Sequence, residues 1–150
     1  MRVVVQRVLE ASVTIDGKLH SRIGPGLLVL AGWEEADTTE DNEWIAQKIS
    51  KMRLFPDAEG VMNRSVVEAG GELLVVSQFT LHASTKKGNR PSYFKAAHPR
   101  ISVPLYEEFL DVLWNEANLP VKSGVFGADM KVALVNDGPV TITMDSKNKE

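Results

Sequence analysis

The sequence predicts an α+β fold, with a mixed, largely antiparallel, β-barrel-like sheet and two inserted helices. Three observations predict it. Short runs rich in β-branched residues recur along the chain, about seven or eight of them. Only two stretches carry helical periodicity. Regular strand-helix-strand alternation, the mark of a doubly wound sheet, is absent. The 150 residues suffice for one domain, spanning 1–150, with a full core. No repeat or linker divides it.

The elements follow in chain order. "RVVVQRV" (2–8) is a first strand. "SVTIDGKLHSRI" (12–23) alternates around Asp16-Gly17, a hairpin signal. "GLLVLAGW" (26–33) is nearly continuous apolar sequence, as in a strand buried on both faces. A helix follows within "ADTTEDNEWIAQKISKMRLF", capped by Asp37, Thr38 or Thr39, with Ile45, Ile49 and Met52 as its core stripe. "PDAEGVMNRSVVEAGG" reads as loop with weak strand character. "ELLVVSQFTL" (72–81) is a strong strand that turns polar near its end. "HASTKKGNRPSYFKAAHPR" (82–100) is long, basic and unpatterned, the kind of loop that is usually functional. A second helix spans "SVPLYEEFLDVLWNEANL" (102–119), with Ser102 as cap, Pro104 near the first turn and Leu105, Phe109, Val112 and Leu113 buried. "PVKSGVFG", "DMKVALV" and "VTITMD" read as three more short strands.

Composition narrows the function. A hydrophobic fraction of 43% and a charged fraction of 25% describe an ordinary globular protein. No apolar run approaches the roughly 20 residues that span a bilayer. The N-terminal stretch is broken by Gln6, Arg7 and Glu10, so it carries no signal-peptide core. Zero cysteines exclude disulfides and thiolate chemistry and suit a reducing cytoplasm. A net charge of −3 argues against a protein that coats nucleic acid through its whole surface. It leaves room for one basic patch, and 84–100 supplies it.

The familiar catalytic signatures are missing: no GxSxG, HExxH, P-loop or GxGxxG. His20, His82 and His98 have no metal-ligand spacing, so no metal site is expected. Two polar insertions into apolar sequence stand out instead. In "SQFTL" (77–81), Ser77, Gln78 and Thr80 either mark a strand emerging into solvent, with Phe79 and Leu81 turned to the core, or form a row of donors at a strand end. Thr80 as a nucleophile lacks an evident base. In "NDGPVT" (136–141), Asn-Asp-Gly-Pro reads as a hairpin tip or as an exposed backbone feature around Gly138-Pro139. In "KKGNRPSYF", Lys86, Lys87, Arg90 and Lys95 with Tyr93 and Phe94 suit either a solvated loop or a surface that grips phosphates and stacks a base.

The two insertions together resemble the paired motifs of the D-aminoacyl-tRNA deacylases, SQFTL and N-x-G-P-V-T, both matched without departure. "MRVVVQRV", "GLLVLAGW", "KKGNRPSYF" and the chain length look like that family too. The resemblance implies a cytoplasmic homodimer that hydrolyses D-aminoacyl-tRNA without a cofactor, with tRNA as partner and active sites at the subunit interface. It implies that Ser77, Gln78, Phe79 and Thr80 line the pocket for the aminoacylated 3′ end. Gly138-Pro139, cis in that family, would enter the partner's site as a chiral filter, and Arg7 would support it. The substrate's 2′-hydroxyl would assist catalysis, with Phe79 and Thr80 N–H groups as oxyanion donors. Lys86, Lys87 and Arg90 would hold tRNA. A filter at the α-carbon should admit glycine, hence glycyl-tRNA(Ala). The alternatives are an RNA-binding module without hydrolysis and a purely structural dimer.

Overall fold

A computed structural model describes all residues, Met1 to Glu150. It is built on one long strand. β1 (Arg2–Ile15) pairs antiparallel along one edge with both β2 (Lys18–Ile23) and β3 (Gly26–Gly32). Asp16 and Gly17 both adopt positive φ, at 50° and 74°, as the predicted two-residue turn requires. β3 pairs parallel with β6 (Glu72–Ser77), and β6 pairs parallel with the short β7 (Val121–Ser123). β8 (Lys131–Asp145) runs antiparallel along the other edge of β1. The result is a mixed, nearly closed, barrel-like sheet of six strands. A two-stranded ribbon, β4 (Phe55–Pro56) with β5 (Met62–Arg64), stands apart.

The burial of β1 explains why one strand serves two cores. Val3, Val5 and Arg7 alternate inward, but Arg7 and Val8 are both buried and Leu9 and Glu10 both exposed. The ladder to β8 shifts register at this point, so the strand bends and exchanges faces. Before the bend, Val3 and Val5 join Leu27, Val29, Leu73 and Val75 under the helices. After it, Ala11 and Val13 join Val8, Ile23, Leu28, Leu74 and Val76 in a second cluster.

α1 (Thr39–Lys51) has Thr38 as its cap, with the Asp41 carboxylate accepting from Thr38 N–H at 2.8 Å. Ile45 and Ile49 are buried as the periodicity predicts. α2 (Pro99–Ala117) starts three residues earlier than the sequence suggests. His98 is its cap, its Nδ1 accepting from Arg100 N–H at 3.2 Å, and Pro99 takes the first position. Ser102 and Pro104 therefore lie inside the helix. Asn42, fully buried on α1, ties the layer together. It accepts from Trp33 Nε1 at 2.9 Å and donates to Leu105 O and Glu108 Oε2 of α2.

Several expectations fail near the strand ends. "ELLVVSQFTL" is a strand only to Ser77, and Phe79–His82 forms a 3-10 turn. Phe79 is 55% exposed instead of turned to the core. β7 stops at Ser123, so "GVFG" is loop, and "DMKVALV" and "VTITMD" belong to one strand that runs straight through "NDGPVT". The hairpin reading of that motif is therefore wrong. Residues on either side of it pair with the same strand, β1, where a hairpin would pair them with each other.

Candidate active site

The first motif is shaped by how the chain leaves β6. Ala31 pairs with Ser77, and Gln78 N–H donates to Ala31 O at 2.7 Å. The chain then folds down onto β3 in the 3-10 turn. Gly32 permits this approach, because a Cβ there would lie 2.6 Å from Gln78 O. Leu81 N–H donates back to Gln78 O at 3.2 Å, so the N–H groups of Phe79 and Thr80 precede the turn's first bond and are its free donors. Arg2 Nη1 holds the far end through Leu81 O at 3.2 Å.

The Gln78 amide donates to Thr80 Oγ1 at 2.6 Å. No carboxylate or imidazole bonds to that hydroxyl, so Thr80 has no activating base. His82 ends the turn but is 1% exposed, and neither ring nitrogen has a hydrogen-bond partner. Burial pushes its imidazole below the usual histidine range; the Gly32 backbone and Glu34 push upward, and Arg2 and the Met1 ammonium push downward. It is a core residue under the turn.

A cavity of about 310 Å³ opens beside the motif, within the range of small-ligand pockets. Val76, Ser77, Gln78 and Phe79 form one wall. Phe126, Asp129, Met130 and Val132 form the other. Sequence patterning does not show this second wall, because "GVFG" reads as strand while the chain there is loop. The available signal was the pair Gly124 and Gly127, the latter with φ of 77°, which breaks the alternation.

The basic loop reaches the same place. Ser84 and Ser92 exchange two backbone hydrogen bonds, at 2.7 and 2.9 Å, and close the segment between them. Tyr93 then sets its ring edge-on to Phe79, with centroids 5.1 Å apart. Lys86, Lys87 and Arg90 sit on the closed segment, exposed and without ion-pair partners. Phe94 is 75% exposed next to them.

The second motif is a bulge in β8. Gln6 pairs with Thr141 and Val8 with Asn136, so residues 137–140 have no ladder partner. Two clamps hold the bulge. Arg7 donates through Nη1 to Leu54 O at 2.5 Å and through Nε to Asp137 O at 3.1 Å, with the Asp137 carboxylate at 3.3 Å. Asn136 Oδ1 accepts from Val140 N–H at 3.0 Å while its Nδ2 donates to Thr141 Oγ1 at 2.9 Å. Gly138 has φ of 131°, and a Cβ there would meet Val140 at 2.8 Å and the Arg7 guanidinium at 3.1 Å. The Gly138-Pro139 peptide bond is cis, and both residues are exposed.

The structure thus brings Ser77, Gln78, Phe79, Thr80 and the basic loop together, and sets Arg7 against the Gly138-Pro139 bulge. It does not join the two groups within one chain. Val132 lines the cavity, and Gly138 lies six residues farther along β8, roughly 15–20 Å at strand spacing.

Comparison with known proteins points the same way. The D-aminoacyl-tRNA deacylase of Parabacteroides distasonis is 64% identical over 150 residues, all of both chains. That of Bacteroides thetaiotaomicron is 63% identical over the same span. A solved structure titled c-Myc DNA Unwinding Element Binding Protein superposes with a TM-score of 0.90 at 41% identity, covering 97% of this chain and 98% of the other. A probable eukaryotic D-amino acid tRNA deacylase shares the fold, with a TM-score of 0.81 at 18% identity over 95% and 97% of the two chains. The profile of the D-Tyr-tRNA(Tyr) deacylases matches residues 4–145, and the chain belongs to that family.

Proposed function

We propose that residues 1–150 act as one domain, a carboxylic ester hydrolase that clears D-amino acids from aminoacyl-tRNA in the cytoplasm. One observation carries this reading: a cavity bordered by free backbone donors, with no activated side-chain nucleophile, adjoins an aromatic and basic loop. Such a site suits a substrate that is RNA and brings its own hydroxyl. The 3′-terminal aminoacyl-adenosine enters beside Ser77, Gln78 and Phe79. Lys86, Lys87 and Arg90 hold the acceptor-end phosphates. Phe79 and Thr80 N–H groups receive the negative charge that develops on the ester carbonyl. Water, positioned by the terminal 2′-hydroxyl, adds to the carbonyl carbon. The bond to the ribose 3′-oxygen breaks, and that oxygen takes the proton. No helix is long and apolar enough to cross a membrane.

The chiral filter is supplied by a second copy of the chain. Gly138 and Pro139 are exposed on a rigid bulge, held out by Arg7, and lie away from their own cavity. β8 pairs with one neighbour only, and Leu9, Leu19, Leu134 and Val135 expose large apolar surface around it. An open edge with an apolar border is what a second chain would cover. Seated over the partner's cavity, the Gly138 and Pro139 carbonyls accept hydrogen bonds from the α-ammonium group. They fill the space into which an L side chain would point. Rejection comes from a clash, so it is insensitive to the side chain. Glycine has no side chain to reject, and glycyl-tRNA(Ala) is accepted.

The test is a paired assay with D- and L-aminoacyl-tRNA carrying the same amino acid. The expected result is release of the D-amino acid alone. Equal cleavage of both esters would remove the filter. Salt-sensitive tRNA binding without turnover would make the protein a binding module.

A further inference from the structure

The cavity's second wall is loop, yet it is held as firmly as a strand. Tyr106, on α2, lies under it. Its hydroxyl donates to Gly124 O at 3.2 Å, and Gly124 N–H donates to Val75 O at 3.0 Å. The Tyr106 ring packs on Phe126 with centroids 5.6 Å apart. Behind Tyr106, Trp33 meets it edge-on at 5.9 Å and meets Phe109 at 6.0 Å. An aromatic column thus runs from the fully buried Phe109 to Phe126 at the cavity wall. Gly124 fits tightly, since a Cβ there would come within 2.4 Å of Met130 Sδ.

Phe126 and the Ser77–Phe79 segment border both the main cavity and a recess of about 10 Å³ lined by Ala31, Gly32, Trp33 and Ala97. The Phe126 ring thus separates the two spaces, and its contact with Tyr106 holds it in that place.

We infer that Tyr106 is a positioning residue for this reaction: through the Gly124 carbonyl and the Phe126 ring it fixes the depth of the cavity that receives the terminal aminoacyl-nucleoside. The inference rests on the deacylase reading above. Tyr106 touches no reacting atom, so its loss acts on binding and leaves the chemical step alone. The energy of a wall that is already in place need not be supplied when substrate binds.

Two kinds of measurement test it: KM and kcat for D-aminoacyl-tRNA, and the Kd of a non-hydrolysable 3′-amide of D-tyrosyl-adenosine. Tyr106→Phe keeps the ring and removes the bond to Gly124. It is expected to raise KM and Kd by about 3- to 10-fold with kcat within about twofold of native. Tyr106→Leu also removes the ring and is expected to weaken binding further. Phe126→Ala, which opens the recess directly, should raise Kd at least as much as Tyr106→Phe. A Tyr106→Phe protein with native KM and Kd overturns the inference, and so does one whose loss lies in kcat alone. The Phe variant keeps the core column, so the answer does not depend on the Leu variant folding. If the native protein itself failed to cleave D-esters, the deacylase reading would fail before any variant was compared.

Discussion

At the scale of the residue, Asn136 and Asp41 act alike: one side chain meets a backbone N–H and neighbouring side chains at once. Asn136 spans the gap that opens when residues 137–140 leave the ladder, bonding to Val140 N–H and the Thr141 hydroxyl. Asn136→Ala leaves Val140 N–H without that acceptor. The bulge should loosen, and D-ester hydrolysis should fall about 10-fold with the melting curve little changed, a loss of about 1.4 kcal/mol in the transition state. Steady-state kinetics beside thermal melting separates this from unfolding. Asp41 works at the opposite end of β8. Burial raises its carboxyl pKa, but bonds from Ser146, Lys147 and Thr38, with the Met1 ammonium nearby, outweigh that and hold it at about 2. The folded pKa lies below the ordinary aspartate value of 3.8, so its contribution is complete above about pH 4 and is lost as the pH falls towards 2. Lys147 is partly exposed, which screens the pair. The contribution is on the order of 1–2 kcal/mol. Urea melts at pH 7 and pH 2.5 should show a smaller difference for Asp41→Asn than for the native protein.

At the scale of the element, the 84–92 segment carries charge that nothing in the chain neutralises. Replacing Lys86, Lys87 and Arg90 with Ala should weaken tRNA binding and flatten its dependence on salt, with a slope lowered by up to about three units of log K per log salt. Filter binding across a salt series measures this. The effect should appear in KM while cleavage of a short aminoacyl-nucleoside stays near native. The elements also divide what was legible in the sequence from what was not. β3, the Asp16-Gly17 turn and α1 were readable because local patterning and tertiary packing agree there. "SQFTL" misled because Phe79 and Leu81 keep strand alternation while Gly32 lets the chain fold down onto β3. A contact with a residue more than forty positions away leaves no local periodicity. "NDGPVT" misled for a related reason. Its turn chemistry is real, but Arg7 and Asn136 use it to hold a bulge, and β1 spans both flanks. The start of α2 is not legible because Ser102 and Pro104 resemble a helix start, while His98-Pro99 supplies one earlier. The cavity's second wall, Phe126, Asp129, Met130 and Val132, lies in neither motif, so motif spacing does not point to it.

At the scale of the whole molecule, the separation of the two motifs gives a sharp test of assembly. A chain with Gln78→Ala has a damaged pocket and an intact Gly138-Pro139 bulge. A chain with Gly138→Ala has the reverse. Each alone should be nearly inactive. Mixed and allowed to exchange subunits, half the dimers combine the two chains, and each of these has one of two sites intact. About one quarter of native activity should return if the filter acts across the interface, and none if it acts within a chain. Sedimentation of the mixture confirms that dimers are present. The unbroken course of β8 has a consequence for sequence length. From Val132 at the cavity to Asn136, where the bulge begins, every residue pairs with β1, so no loop there absorbs a change. Inserting one residue in that stretch would turn the side chains between it and the bulge to the opposite face, and deleting two would keep the faces but draw the landmarks together by about 7 Å. Residues 133–135 therefore act as a ruler: their side chains are exposed and can vary, while their number cannot.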